Sequence, residues 1–464
     1  MPATQPNQEL AAALAHADWE PCDLVREINH LLAVDGHRIA LHRTTAYSWV
    51  RQGRTPQHLA VRRAAAAVLT RATGTLYTPQ RLWPHALDTD LATPDDTACD
   101  ELSGPLTLPT VLGTATQWTE RGPRYSAVQP AAAHVVLTAA LDAARLPLAG
   151  HLPRPVHGER VVPPMTDHIE ANLAALRRLD DKSGGTAVAQ RWVRHHLADV
   201  LELIRHARYT DTIGHRLLRA AAGLAQLHGW MAFDANAPGP AQRFHLIALR
   251  LARACDAHDI VANNLGMLAY QCAAHGSPAH AIRLATAATE AAQHCGLAVR
   301  ARAHGRLATA YAAAGDLYAH HHAADTTRSL LDHAPDGSVP ADIYYFTPRQ
   351  CDAENGHANV LLAATHPAHA PKLVTRAAEL LSPLALNASG YQRSAFLHGI
   401  HLAQAHLIAR DREACASILD ALTPLVAGVP SPRCRAMLRK LRVAEARRLP
   451  PTTREAIDAA LSAP

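Results

Sequence analysis

His42-Arg-Thr-Thr-Ala-Tyr-Ser-Trp-Val-Arg-Gln-Gly-Arg54 is the stretch from which the fold is read. Ala46, Trp49 and Val50 fall on one face at helical spacing, and Gly53 closes the helix. Thr44, Thr45, Tyr47, Ser48, Arg51 and Gln52 are left for the other faces. The surrounding residues, Gly36 to Leu87, hold eight arginines (Arg38, Arg43, Arg51, Arg54, Arg62, Arg63, Arg71, Arg81) and no Asp or Glu. The whole chain carries 45 basic and 40 acidic residues, so this gap is local. A helix with a small apolar seam, a hydroxyl- and amide-rich outer face and flanking arginines suits major-groove reading. Hydroxyls and amides reach base edges, and arginines reach phosphates or guanine.

Neighbouring segments give that helix its setting. Asn7 to Ala17 reads as a first helix, with Leu10, Ala13, Leu14 and Ala17 on one stripe. Pro21 suits the first turn of a second helix, which runs to about Val34 through Leu24, Val25, Ile28, Leu31 and Leu32. Thr55-Pro56 breaks the chain, and Leu59 to Arg71 forms a fourth helix ended by Gly74. Four short helices with a basic, polar-faced third describe a helix-turn-helix domain of the phage-repressor type, over 1–83. The connection 35–42 is longer than the usual tight turn. Thr44, Thr45, Ser48 and Gln52 are expected at base edges, with Tyr47 beside them, and Arg43, Arg51 and Arg54 at phosphates or guanine. Trp49 reads as core. Arg62, Arg63 and Arg71 read equally as further backbone contacts or as ordinary surface.

Residues 84–165 are rich in proline, carry the acidic patch Asp88 to Glu101 and read as a connector with one helix, Ala131 to Ala144. From 166 to 464 the chain is almost continuously helical by pattern. A loop is expected at Asp180 to Gly185. Helix pairs follow around Gly239, Gly276 and Gly315, spaced by 37 and 39 residues, and a further pair around Arg410-Asp411. Such pairs match degenerate tetratricopeptide-type repeats, an α-solenoid. Hydrophobic residues make up 48% but aromatics only 4%, so alanine and leucine supply the apolar surface, which favours an all-α protein. Such repeats present a concave groove, for which Arg243, Asn263, Asn264, Tyr270, Arg302 and Arg306 are candidate liners. Asn263-Asn264 reads equally as the N-cap of a helix starting at Leu265. Trp230 and Phe233 read as inter-helix packing.

Three segments carry a family resemblance. They are Arg43-Thr-Thr-Ala-Tyr-Ser-Trp-Val50, Asp180-Asp-Lys-Ser-Gly-Gly185, and Gly229-Trp-Met-Ala-Phe-Asp234 with Ala241-Gln-Arg-Phe244 and Ala248-Leu-Arg-Leu-Ala252. On these the chain resembles actinomycete-type transcriptional regulators that join a divergent, XRE-like helix-turn-helix to C-terminal tetratricopeptide repeats. The resemblance implies a regulator of development or secondary metabolism that binds double-stranded DNA, forms a homodimer, and senses a peptide, small molecule or protein through its repeats. The rival class is a tetratricopeptide interaction scaffold without specific DNA binding.

Enzyme chemistry finds no support. There is no Gly-x-Ser-x-Gly, no phosphate-binding Gly-x-x-x-x-Gly-Lys-Ser/Thr and no Cys-x-x-Cys. No catalytic residue, metal ligand or cofactor is expected, although the chain has 31 histidines. Eight dispersed cysteines read as reduced thiols. The start of the chain lacks a signal-peptide pattern and no long apolar run occurs, so a cytoplasmic protein without membrane contact is expected.

Overall fold

The computed structural model describes residues 6–34, 39–84, 102–120, 128–335, 337–385, 391–426, 428–429, 431–444 and 449–462. Among them every regular element is helical. No helix is long and apolar enough to cross a membrane.

The first five helices are α1 (Gln8–Ala17), α2 (Pro21–Val34), α3 (Thr45–Gln52), α4 (Leu59–Thr73) and α5 (Pro79–Leu82). They enclose their own core, in which Leu10, Leu24, Ile28, Leu69 and Leu82 are fully buried. Trp49 sits in it edge-on to Trp83, with ring centroids 6.1 Å apart. Asn7 fastens both ends of this bundle. Its side chain accepts from the Leu10 amide at 2.9 Å, capping α1, and donates to the Leu82 carbonyl at 2.8 Å. Gly53 and Gly74 end α3 and α4 in the left-handed conformation, at φ 61° and 67°.

The remaining helices are α6 (Leu108–Glu120), α7 (Ala133–Arg145), α8 (Pro163–Ser183), α9 (Ala187–His206), α10 (Asp211–Asp234), α11 (Pro238–Ala254), α12 (His258–Ala274), α13 (Pro278–Ala291), α14 (Leu297–Ala314), α15 (Leu317–Asp332), α16 (Pro348–Thr365), α17 (Ala370–Ala385), α18 (Gln392–Ile408), α19 (Arg412–Leu422), α20 (Pro432–Ala444) and α21 (Pro451–Ser462). From α10 to α19 they pair into successive hairpins. One continuous apolar core runs from Leu102 to Cys351, and a second from Ala312 to Ile457.

Four expectations change. The acidic patch and the 121–127 segment lie outside the described residues, but what is described of 84–165 is more than a connector. Trp118 of α6 is fully buried, as are Ala139, Ala140 and Ala143 of α7, all in the core of the hairpins that follow. Asp180 to Ser183 form the last turn of α8 instead of a loop. Gly239 is not a hairpin corner: it lies in the first turn of α11, and the corner residue with positive φ is Asn236, at 54°. A Cβ on Gly239 would come within 2.2 Å of the Val128 carbonyl, so this glycine lets the 128–131 segment cross α11. Asn263 and Asn264 lie inside α12, which starts at His258, and cap nothing.

Candidate nucleic-acid interface and hairpin cavity

On α3, Ala46 and Trp49 are buried, whereas Arg51 and Gln52 are exposed, as are the flanking Arg43, Thr44 and Arg54. Thr45, Tyr47 and Ser48 are half-buried. The Ser48 hydroxyl donates to the Thr45 carbonyl at 2.9 Å, which leaves its oxygen to accept from outside. Arg51 lies 5.2 Å over the Tyr47 ring. The approach to α3 is pinned by Asn29, whose amide donates to the Leu41 carbonyl and whose oxygen accepts from the Leu41 amide, both at 2.8 Å. That two-way bond fixes the register of 39–44 on α2. Residues 35–38 of the long connection, Arg38 included, lie outside the described residues.

The acid-free arginines divide. Arg62 is only 4% exposed and donates to the Pro56 and Gln57 carbonyls, so it holds the turn after α3 and does not face outward. Arg81 lies over Tyr77 and pairs with Glu9 at 3.5 Å. Among the described residues no carboxylate pairs with Arg43, Arg51 or Arg54. The bundle meets the rest of the molecule on a different side, through α4 and α1. There Asn236 donates to the Arg71 carbonyl at 2.8 Å, Arg439 of α20 to the Ala72 carbonyl at 2.6 Å, and Gln129 to the Arg63 carbonyl at 3.1 Å.

The hairpins enclose a cavity of about 690 Å³. Of the six residues expected in a groove, Tyr270 and Arg306 line it, and the other four do not. Arg243 is fully buried under the 128–131 segment, donates to the Gln129 and Gly239 carbonyls, and lies 5.4 Å over Trp118. Asn264 bonds His245 at 2.9 Å and the Ile260 carbonyl inside the core. Asn263 donates to Asp342 at 3.4 Å. Arg302 pairs with Glu354 at 2.9 Å, with its guanidinium 4.5 Å from the Phe346 centroid.

Pattern reading missed the ion cluster at the cavity wall. Arg393 of α18 lies 3.4 Å from both Asp180 and Asp234 and 3.7 Å from Asp181. Arg433 of α20 lies 3.2 Å from Asp234, to which Ser431 also donates at 3.1 Å. Early and late helices are thus tied together across the array. Burial alone would raise the Asp234 carboxyl, but the two guanidiniums hold it below the usual carboxylate range. Asp181 has burial and the charge of Asp180 against it, which outweigh Arg393 and push it up to about 6. Arg433 also donates to the Tyr270 hydroxyl at 3.2 Å and lies 5.1 Å over Phe233 and 5.5 Å over Trp230.

The signal was present in the segments quoted above. Asp180-Asp181 and Gly229-to-Asp234 converge on this cluster, and a Cβ on Gly185 would meet the Met231 backbone at 2.7 Å. The glycine pair after α8 thus lets that turn lie directly on α10. What the pattern lacked was the partner: Arg393 and Arg433 stand more than 150 residues downstream in undistinguished helices. Beside them His357 and His398 share a hydrogen bond at 3.0 Å, and His401 stacks on His357 at 4.0 Å. Among the described residues no group of three His, Cys, Asp or Glu side chains is placed to hold a metal.

No protein-family model matches the chain, and no curated protein matches it.

Proposed function

We propose that the chain is a sequence-specific DNA-binding transcriptional regulator, in which the N-terminal bundle is a helix-turn-helix head and the hairpins are a tetratricopeptide-like solenoid for sensing and dimerisation. The observation that carries this is the outer face of α3. Thr44, Thr45, Ser48 and Gln52 stand on or beside one short helix, ringed by Arg43, Arg51 and Arg54, and the helix is held by Trp49 in a separate core. Exposed arginines without a local carboxylate repel one another, and phosphates relieve that repulsion. The bundle docks on α20 through α4 and α1 and not through α3, so the reading surface and the docking surface do not compete. In a homodimer two such heads read a two-fold-related operator. A role in development or secondary metabolism follows from the family resemblance.

The test is selection of genomic DNA fragments by the purified chain at moderate and high salt. A shared two-fold-symmetric sequence, enriched at moderate salt and lost at high salt, supports the regulator. Absent or sequence-independent enrichment by a folded, monodisperse sample favours the interaction scaffold instead.

A further inference from the structure

The cavity carries a charge that its walls do not balance. Arg302 and Arg306 share one carboxylate, Glu354. Arg302 takes the close contact, and Arg306 stands 4.0 Å off. Arg306 is 5% exposed, and its Nε has no hydrogen-bond partner among the described residues. Its stem passes over Gly266, where a Cβ would come within 2.9 Å of its Cγ, so the glycine opens the lane that leads Arg306 to the cavity. The guanidinium lies 4.6 Å over Tyr270, which packs in turn on Phe233 and Trp230. A buried cation with half a counter-ion is costly unless something else supplies the other half. Arg433, on the far side of the same aromatic cluster, already has Asp234. Of the other cations that line the cavity, Arg393 has its aspartates, Arg177 has Asp342 nearby, and Arg349 and Lys440 are exposed to water, so an incoming anion gains most at Arg306, and a flat apolar body gains most on the adjoining rings. A cavity of about 690 Å³ is of the size that encloses one small organic molecule.

One wall does not belong to the hairpins. Thr73 and Gly74, at the end of α4, line the cavity, beside Met437 and Lys440 of α20. The same helix α20 holds α4 through Arg439.

We propose that the cavity binds one small organic anion with a flat apolar body, its charge at Arg306, and that the docked N-terminal bundle closes part of the site. Occupancy then favours the docked arrangement of the head, by as much as the anion prefers it. This names the class of signal for the regulator proposed above and rests on that proposal only for its effect on DNA, since binding is measured without DNA.

The test uses the full chain and two fluorescent probes of one ring frame, anionic anilinonaphthalene sulfonate and neutral phenylnaphthylamine. The expected result is saturable binding of one sulfonate per chain, about 10-fold tighter than the neutral probe. Arg306→Met removes that preference, and Arg306→Lys keeps part of it. Ala313→Trp, at a half-exposed position on the wall, puts an indole into the cavity and weakens binding of both probes several-fold. Asn236→Ala combined with Arg439→Ala opens the wall and weakens the sulfonate several-fold. Equal affinity for the two probes, or a preference unchanged in Arg306→Met, overturns the anion site. Should Arg306→Met fail to fold, Ala313→Trp decides: undiminished sulfonate binding in that variant overturns the proposal. Unchanged affinity in the Asn236/Arg439 double variant removes the bundle from the site. An empty DNA selection leaves all of these readings intact, so the two proposals fail separately.

Discussion

Arginine has opposite roles at the two ends of this molecule. On the N-terminal bundle Arg43, Arg51 and Arg54 are exposed and face no carboxylate among the described residues. In the hairpin array Arg302, Arg393 and Arg433 are buried, and each is matched to an acid from a distant helix. The first arrangement leaves charge for a partner and adds nothing to stability. The second makes charge part of the fold, where removing one member strands the others. The same residue type is therefore solvated in one region and architectural in the other, and exposure together with pairing tells them apart.

Acid gives the widest separation of the two regions. His228, His245 and His398, all in the array, are buried, and burial lowers them to about 3, 4 and 4. An unfolded histidine titrates near 6.5, so the stability from keeping them neutral is complete above that pH and is lost as pH falls towards the folded values. Each contributes a slope of about 1.4 kcal/mol per pH unit in that window. Asp181, raised to about 6, and Asp180 and Asp342, also raised by burial, act with the opposite sign, but His275, His304, His320, His357 and His401 of the array are lowered as well and keep the histidines in the majority. The urea midpoint is expected to fall steeply between pH 6.5 and 4.5; a flat profile would place these rings in contact with water.

Substituting Asp234 with Ala comes next. It strands Arg433 in the interior and leaves Arg393 to Asp180 and Asp181 alone, and should cost about 3–5 kcal/mol in urea unfolding, because the penalty is that of an uncompensated buried charge. A cost below 1 kcal/mol would mean that the cluster is solvated.

Within the acid-free stretch, Arg51→Ala and Arg62→Ala sharpen the contrast. Arg51→Ala should weaken operator binding by about 1–3 kcal/mol, lower the salt slope by about one, and leave the melting temperature unchanged. Arg62→Ala should lower the melting temperature, since it frees the Pro56 and Gln57 carbonyls. The opposite pattern would exchange their roles.

The smallest effects are expected at hairpin corners. Gly315 sits at φ 75°, and Arg410 occupies the equivalent corner at 62°. Gly315→Ala should cost about 1 kcal/mol, and Arg410→Gly should gain up to about that amount, both read by thermal melting.

Those corners also show what was legible beforehand. The helices of the bundle are marked by Pro21, Gly53 and Gly74, and α1, α2 and α3 by an apolar stripe as well, because each of these three has one wet face, whereas α4 has no exposed residue. Gly276 and Gly315 marked two corners correctly, since a positive φ favours glycine. Asn236 fills the same conformation with a short polar side chain, so the glycine pattern points to Gly239 instead. The cavity face was harder. A helix such as α12 lies between neighbours on both sides and is buried from Ile260 to Ala269, so no periodicity marks which side looks inward. Asn263, Asn264 and Arg243 stand out in the sequence as polar residues in apolar helices. They proved to be core groups with internal partners, whereas Arg393 and Arg433 carried no local mark at all.

The seam between bundle and array has a mechanical character of its own. Three hydrogen bonds across it end on main-chain carbonyls of α4, two of them in the helix's last turn, and among the described residues no ion pair crosses it. Carbonyls at a helix terminus are equally content with water. The joint therefore behaves as a latch and not as a weld: opening it exposes groups that solvent satisfies, while the cores on either side stay closed. Because the terminus carries the negative end of the α4 dipole and meets Arg439, added salt should loosen the latch. For a chain that acts as proposed above, ionic strength would then free the bundle from the array and from DNA together.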